Sequence, residues 1–179
     1  MLLVRAVAAG EVDASLFSPS FLQLSHPSLV QQSAETLLQR TVSSVLGCAQ
    51  APALWHKLPN GKPVFTHLPL HFSVAHTQGW VAVAVSDAPV GVDIELADRI
   101  RPKIIEKLTA PKTPGLSAAE QWVCWEAMGK CSGRGIALMF DPFPAEQDLP
   151  YRFGKVAPGV FLAVAGPKAN ELSDKFFWN

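Results

Sequence analysis

The sequence predicts an α+β protein built from two related halves, residues 1–89 and 90–179, each an antiparallel β-sheet packed on a long helix. Two observations predict this class. The order of strand, long helix and hairpin occurs once in each half, and both hairpins place a glycine turn before an apolar run (TQGWVAVAV and APGVFLAVA). We expect the halves to pack around a pseudo-twofold axis as one compact unit, with a ligand cleft where they meet.

The first half begins with residues 1–8 (MLLVRAVA), whose apolar pattern predicts an edge strand. The following stretch, rich in Ser, Pro and Gln as far as about Pro27, predicts a loop. Apolar and small residues then recur at three- and four-residue intervals. They predict one helix over about 28–46, which Gly47 ends.

A hairpin is expected after this helix, beyond a proline-rich connection. Three prolines surround the Asn60-Gly61 turn and predict a loop there. Alternating apolar residues on both sides of a glycine turn then predict paired strands at Phe72–Ala75 and Trp80–Val85.

The second half is expected to contain two helices and another hairpin. Residues 101–109 and 117–131 predict the helices. Ser117, followed three residues later by Glu120, has the spacing of a capping box, which indicates where the longer helix starts. Residues 151–167 predict the hairpin.

Composition limits the classes of function. The chain has 179 residues, 49% of them apolar, and its fifteen Lys and Arg balance fifteen Asp and Glu. Disorder is therefore excluded, and no overall field draws the chain to nucleic acid or to an anionic membrane. The uncharged stretch 63–86 contains three His and two Pro, so it does not predict a membrane span. Three cysteines without C-x-x-C spacing and an N-terminus without a signal-peptide core predict a cytoplasmic location.

Two acidic residues stand out in the predicted strand Val90–Leu96 (VGVDIEL). Because side chains alternate along a strand, Asp93 and Glu95 project on one face while the aliphatic residues project on the other. The pattern leaves two interpretations open. The acidic face is simply solvated, or the two carboxylates hold a divalent cation such as Mg²⁺, which prefers oxygen ligands.

The longer helix of the second half contains Glu126 and Lys130, one turn apart on the same face. By itself such a pair is typical of a solvent-facing helix and contributes a few tenths of a kcal/mol. A third carboxylate near the acidic strand would strengthen the interpretation as a metal site.

Four segments in this order resemble a known family. They are a GKP turn at 61–63, HFSVAHTQGWVAVAV at 71–85, VGVDIE at 90–95 and WVCWEAMGKCSGRGI at 122–136. Together they resemble the motifs of the 4′-phosphopantetheinyl transferases, in particular the larger monomeric type that activates peptide and polyketide synthases. The resemblance covers about residues 37–167 and implies the fold of that family, with its two halves.

The resemblance also implies a reaction. The 4′-phosphopantetheine group of coenzyme A, the co-substrate, would be transferred to a serine of an acyl, peptidyl or polyketide carrier protein. The reaction would depend on Mg²⁺ and release 3′,5′-ADP. Duplication within one chain favours a monomer.

Site residues follow from the matching positions. Asp93, Glu95 and Glu126 match the family's metal-binding acids, and Glu126 also matches the proposed general base for the serine hydroxyl. Lys130 matches the lysine near the phosphates, where an ammonium group offsets developing negative charge.

Three further residues are predicted to bind coenzyme A. Lys62 and His76 match positions that contact the nucleotide and its phosphates, and Arg40 is the only basic residue in the helix expected near the 3′-phosphate. Without the resemblance, Lys62 would be interpreted as a solvated turn lysine and His76 as a polar hairpin residue.

The sequence departs from the family pattern at two places. Trp125 stands where the family has a lysine, and Gln31 and Gln32 stand where basic residues are usual. These departures support an alternative, a catalytically weakened relative that binds coenzyme A or carrier protein, for which restoring charge by Trp125→Lys should raise activity. A third interpretation is an α+β protein whose acidic strand and Glu-Lys helix are surface features only.

Overall fold

The computed structural model describes residues 1–12, 28–48, 54–140 and 149–177. In chain order, the helices and strands are β1 (Leu2–Ala8), α1 (Leu29–Leu46), β2 (Trp55–Lys57), β3 (Pro63–Phe65), β4 (His71–Thr77), β5 (Trp80–Ser86), β6 (Gly91–Leu96), α2 (Pro102–Glu106), α3 (Ala118–Ser132), β7 (Tyr151–Ala157) and β8 (Val160–Ala165). The α+β class with antiparallel sheets is therefore confirmed, and the pseudo-twofold relation between halves stays a prediction.

Two three-stranded antiparallel sheets organise the chain. The first has the strand order β1-β5-β4, so β1 is an edge strand as predicted, and the second has the order β6-β8-β7. The sheets meet where β4 packs against β6, and the Val92 N–H donates to Ser73 Oγ at 3.0 Å. This contact brings the acidic strand β6 beside the β4–β5 hairpin.

The two long helices begin and end within one residue of the predicted bounds. In α1, Ser28 and Gln31 form a capping box, and Gly47 ends the helix with a left-handed φ of 65°. In α3, Ser117 and Glu120 form the capping box that their spacing predicts. No helix among the described residues combines the length and the apolar composition needed to cross a membrane.

The core has three layers of apolar side chains. One lies between α1 and the first sheet, one between α3 and the second sheet, and one contains residues of both sheets. The third layer includes Val4, Ala82, Ala84, Val92, Ile94, Leu162 and Val164. Each large aliphatic side chain removed from water contributes roughly 1.5–3 kcal/mol. These layers hold α3 and the two sheets in fixed positions.

Strand β6 is buried on both faces at its centre. Val92 and Ile94 pack in the layer that both sheets share, and Asp93, on the other face, is only 6% exposed. A Cβ atom added at Gly91 would overlap the backbone carbonyl of Ala127, because α3 lies directly on β6 at this point. The interpretation of the acidic face as simply solvated is therefore wrong for Asp93.

Two local predictions need correction. Helix α2 covers only Pro102–Glu106 instead of 101–109, because the N–H groups of Thr109 and Ala110 donate to the Met139 carbonyl rather than continuing the helix. The connection around Asn60-Gly61 contains the short hairpin β2–β3, which its prolines concealed. Most of the loop predicted before Pro27 lies outside the described residues.

Candidate active site

Asp93 and Glu126 meet at the side chain of Lys130. Lys130 Nζ donates to Asp93 Oδ1 at 2.8 Å, and Glu126 Oε1 lies 4.0 Å from the same nitrogen. Strand β6 supplies the first acid, and one face of α3 supplies the second acid and the lysine. The close packing of α3 on β6 therefore places two carboxylates, 33 residues apart in sequence, beside one ammonium group.

The environment of Asp93 disfavours its charge. Burial raises the pKa of Asp93 to about 7, Lys130 opposes this increase, and the negative charges of Glu126 and Glu95 add to it. The side chains of Asp93 and Glu126 are 9% and 23% exposed. The carboxylate of Asp93 therefore depends on a neighbouring cation to stay ionised near neutral pH.

Glu95 points to a different set of partners. Its Oε1 accepts from the hydroxyl of Thr77 and, at 2.8 Å, from the Leu96 N–H. Arg99 Nη1 lies 3.4 Å from the same oxygen and donates to Thr77 Oγ1 at 2.8 Å. Glu95 is therefore joined to the β4–β5 hairpin, whereas Asp93 and Glu126 are joined to Lys130.

The predicted magnesium ligands are thus divided between two cations. Among the described residues, no three Asp, Glu, His or Cys side chains form a group that could hold a metal ion. The chemistry of the donors does fit Mg²⁺, because Asp93 and Glu126 offer carboxylate oxygens at one place and repel each other there. The magnesium site stays a prediction for which these two residues have suitable positions.

Lys62 docks on the carboxyl end of α3. Its Nζ donates to the Cys131 carbonyl, and the Asn60 side chain donates to the Gly133 carbonyl at 3.1 Å. Burial lowers the pKa of Lys62. A cation at this end of a helix interacts favourably with its dipole. Lys62 is therefore not a freely solvated turn lysine, and its turn is attached to the helix that carries Glu126 and Lys130.

His76 and Arg40 lie at different places. His76 is exposed near the end of β4, next to the buried Thr77 that bonds Glu95. Arg40 lines a cleft of about 360 Å³ with Arg5, whose Nη2 donates to Ser44 Oγ at 2.8 Å. The described residues that line this cleft include no other predicted site residue, so the structure does not bring Arg40 together with the acids.

Trp125 faces the core. It is 9% exposed and belongs to the apolar layer around α3, with residues such as Ile105, Leu108 and Met139. The position that corresponds to the family's lysine is therefore directed inward in this chain. A lysine in the same orientation at position 125 would therefore place its positive charge in the apolar layer and not at a solvated surface.

Sequence reasoning missed three residues of this region. Arg99 follows Glu95 by four residues, a spacing that could have indicated an ion pair. The roles of Thr77 and Asn60 could not be predicted from sequence spacing, because each residue contacts a residue of a distant element.

The known proteins to which this chain is similar share one activity in their names. No family model matches the chain. It is 31% identical over 110 residues to the 4′-phosphopantetheinyl transferase gsp of Aneurinibacillus migulanus, covering 55% of this chain and 46% of that protein. It is 38% identical over 98 residues to the 4′-phosphopantetheinyl transferase psf-1 of Bacillus pumilus, covering 48% and 42%.

A third relative is the 4′-phosphopantetheinyl transferase Sfp of Bacillus subtilis strain 168, 30% identical over 95 residues and covering 46% and 42%. The chain spans less than half the length of these curated relatives. These similarities, each over about half of the chain, support a relationship to the 4′-phosphopantetheinyl transferases.

Proposed function

We propose that this protein transfers the 4′-phosphopantetheine group from coenzyme A to a serine of an acyl or peptidyl carrier protein and releases 3′,5′-ADP. One observation carries the proposal. Asp93 and Glu126 converge on Lys130 in a chain similar to proteins named as transferases of this group. We further propose that it acts as a monomer in the cytoplasm.

The residues of the cluster suit the proposed transfer. Glu126 would accept the proton of the carrier serine as its oxygen attacks the phosphorus that bears pantetheine. A new P–O bond forms, the P–O bond to the nucleotide breaks, and the bridging oxygen leaves with 3′,5′-ADP. The ammonium group of Lys130 would offset the negative charge that develops on this oxygen.

Mg²⁺ would be held mainly by Asp93 and Glu126, with Glu95 as the third proposed ligand. When bound, it would supply positive charge to the pyrophosphate of coenzyme A. Asp93 is only 6% exposed and pairs with Lys130, so a cation bound to its carboxylate would take the place of the Lys130 ammonium group. Lys130, which donates to Asp93 in this structure, would then be free to face the phosphates of coenzyme A.

Coenzyme A binding is proposed for Lys62, His76 and Arg40. Lys62 is near the carboxyl end of α3, so a phosphate there would be close to the cluster. His76 is exposed and can reach a ligand on the β4–β5 hairpin. Arg40 could contribute only through a part of the ligand that extends to the cleft it shares with Arg5.

The test is transfer to a carrier. Apo-carrier protein, coenzyme A and Mg²⁺ are incubated with the protein, and mass spectrometry measures the gain of phosphopantetheine on the carrier. Glu126→Gln should reduce the rate by about 100-fold or more. The matched control Glu106→Gln, at an exposed position of α2, should leave it unchanged. No mass gain with several carriers, while the protein is folded, would contradict the proposal.

The second candidate function is binding of coenzyme A without turnover. The residue type at position 125 favours it, because Trp125 supplies no cation where the family pattern has a lysine next to Glu126. Calorimetry would then show coenzyme A binding while the carrier mass stays constant.

A further inference from the structure

Each of the two acidic residues of β6 is paired with a different basic side chain of this protein. Lys130 pairs with Asp93, and Arg99 lies against Glu95. The acids are nearly buried, with side chains 9% and 15% exposed, whereas the Arg99 side chain is 52% exposed. The cation beside Glu95 is therefore the more accessible member of its pair.

We infer that Arg99 is a counter-cation that competes with a divalent metal ion for Glu95, and so sets the metal affinity of the acidic site. The inference rests on the proposed function, because it concerns the same carboxylates. It adds a positioning residue that the motif match does not contain.

The hydrogen bonds at Glu95 Oε1 are the first observation that supports competition between Arg99 and a metal ion. This oxygen accepts from the Thr77 hydroxyl and the Leu96 N–H, and Arg99 is the third donor beside it. A carboxylate oxygen has about two lone-pair positions, so it is fully used by these groups. A metal ion that binds this oxygen must displace a donor, and one that binds the other carboxylate oxygen of Glu95 is still repelled by the positive charge of Arg99 beside Oε1.

Arg99 is the donor that can leave at the lowest cost. The Leu96 N–H belongs to the backbone, and Thr77 is a buried residue of β4. Arg99 is held at 3.4 Å, and its guanidinium can move into water without leaving a buried group unpaired. Arg99 also donates to Thr77 Oγ1, and after its departure this hydroxyl would still donate to Glu95.

The competition between Arg99 and Mg²⁺ should change the Mg²⁺ affinity by a measurable factor. A partly exposed ion pair contributes up to about 1 kcal/mol, so removing Arg99 should raise the affinity for Mg²⁺ about three- to five-fold. The effect is reciprocal, so Mg²⁺ should weaken the link that Arg99 makes between β6 and the β4–β5 hairpin.

The experiment is a calorimetric titration of the full chain with MgCl₂, without coenzyme A or carrier. Arg99→Gln should bind Mg²⁺ about three- to five-fold more tightly than the unaltered protein. Arg101→Gln is the matched control. It removes the same charge two residues further along, from an exposed side chain that makes no contact with Glu95 in the described part of the chain. Its affinity should not change.

A second pair of variants tests the route of the effect. Arg99→Lys keeps the charge but loses the planar fork, so its affinity should lie between those of Arg99→Gln and the unaltered protein. In a Glu95→Gln background, Arg99→Gln should have no further effect. Circular dichroism and thermal unfolding verify that each variant is folded.

Equal affinities for Arg99→Gln and Arg101→Gln would overturn the inference, and so would a lack of Mg²⁺ binding in every form. Neither result decides the proposed function, which is judged by coenzyme A binding and by transfer to the carrier. Conversely, tighter Mg²⁺ binding by Arg99→Gln without any transfer would support the inference and contradict the transferase activity.

Discussion

Lys130 Nζ lies 2.8 Å from Asp93 Oδ1, and this ion pair joins the last turn of α3 to the centre of β6. Asp93 is nearly inaccessible, whereas the Lys130 side chain is 27% exposed. The pair therefore links a buried acid to a cation that can reach solvent, and it has consequences for stability that can be measured.

Replacing Lys130 by Met should destabilise the protein by about 2 kcal/mol, because Asp93 then remains buried without its cation. Chemical denaturation measures the free energy of unfolding. The control Lys112→Met, at an exposed loop position, should change it by less than about 0.5 kcal/mol. Adding Asp93→Asn to Lys130→Met should recover more than half of the loss. If the double variant is less stable than Lys130→Met, the pair does not explain the effect.

Gly91→Ala should destabilise the protein by about 3 kcal/mol or more. Its new Cβ would overlap the Ala127 carbonyl and lie 2.5 Å from the Cys131 backbone nitrogen, and backbone atoms cannot move aside as a flexible side chain can. Gly10→Ala is the control, since a Cβ there meets no atom within 4 Å. The midpoint of urea denaturation should fall for Gly91→Ala alone, and equal midpoints would show that α3 does not pack this closely on β6.

Trp125→Lys should lower stability by about 3 kcal/mol and should not raise transferase activity. The substitution places an ammonium group in the apolar layer around α3 and removes a large buried ring. Trp125→Phe keeps most of the apolar volume and should cost less than half as much. Thermal unfolding and the carrier assay measure the two effects. A stable Trp125→Lys variant with faster transfer would show that the side chain can turn toward the phosphates.

Stability should fall as the pH rises from about 4.5 to about 7, in part because of Glu35. Burial raises the pKa of Glu35 from 4.5 to about 7, and the nearby Trp55 indole only partly opposes this. The folded protein therefore holds this proton more tightly than the unfolded chain, and its contribution is fully present only below pH 4.5.

Glu35→Gln mimics the protonated acid and should remove this part of the pH dependence, giving a gain of about 1–2 kcal/mol above pH 7. The exposed Glu11 provides the control Glu11→Gln, which should leave the pH profile unchanged. Urea denaturation across pH 4–8 measures both. Parallel profiles for Glu35→Gln and the unaltered protein would refute the role of Glu35.

The local structure could be predicted from the sequence because it depends on interactions between residues that are close along the chain. The capping boxes at Ser28 and Ser117 and the glycine turn before Trp80 each involve neighbours within a few residues. The hairpin β2–β3 was missed because its strands are only three residues long and contain Pro63, which is unfavourable in most strands.

The amino-acid sequence alone determined the α+β class, the ends of the two long helices and the alternation that puts Asp93 and Glu95 on one face of β6. Only the tertiary structure decided which cation each acid meets, since Lys130 reaches Asp93 from α3 and Thr77 reaches Glu95 from another sheet. It also decided that Trp125 is buried. Contacts between distant elements depend on how layers pack, and the spacing of residues along one element does not contain that information.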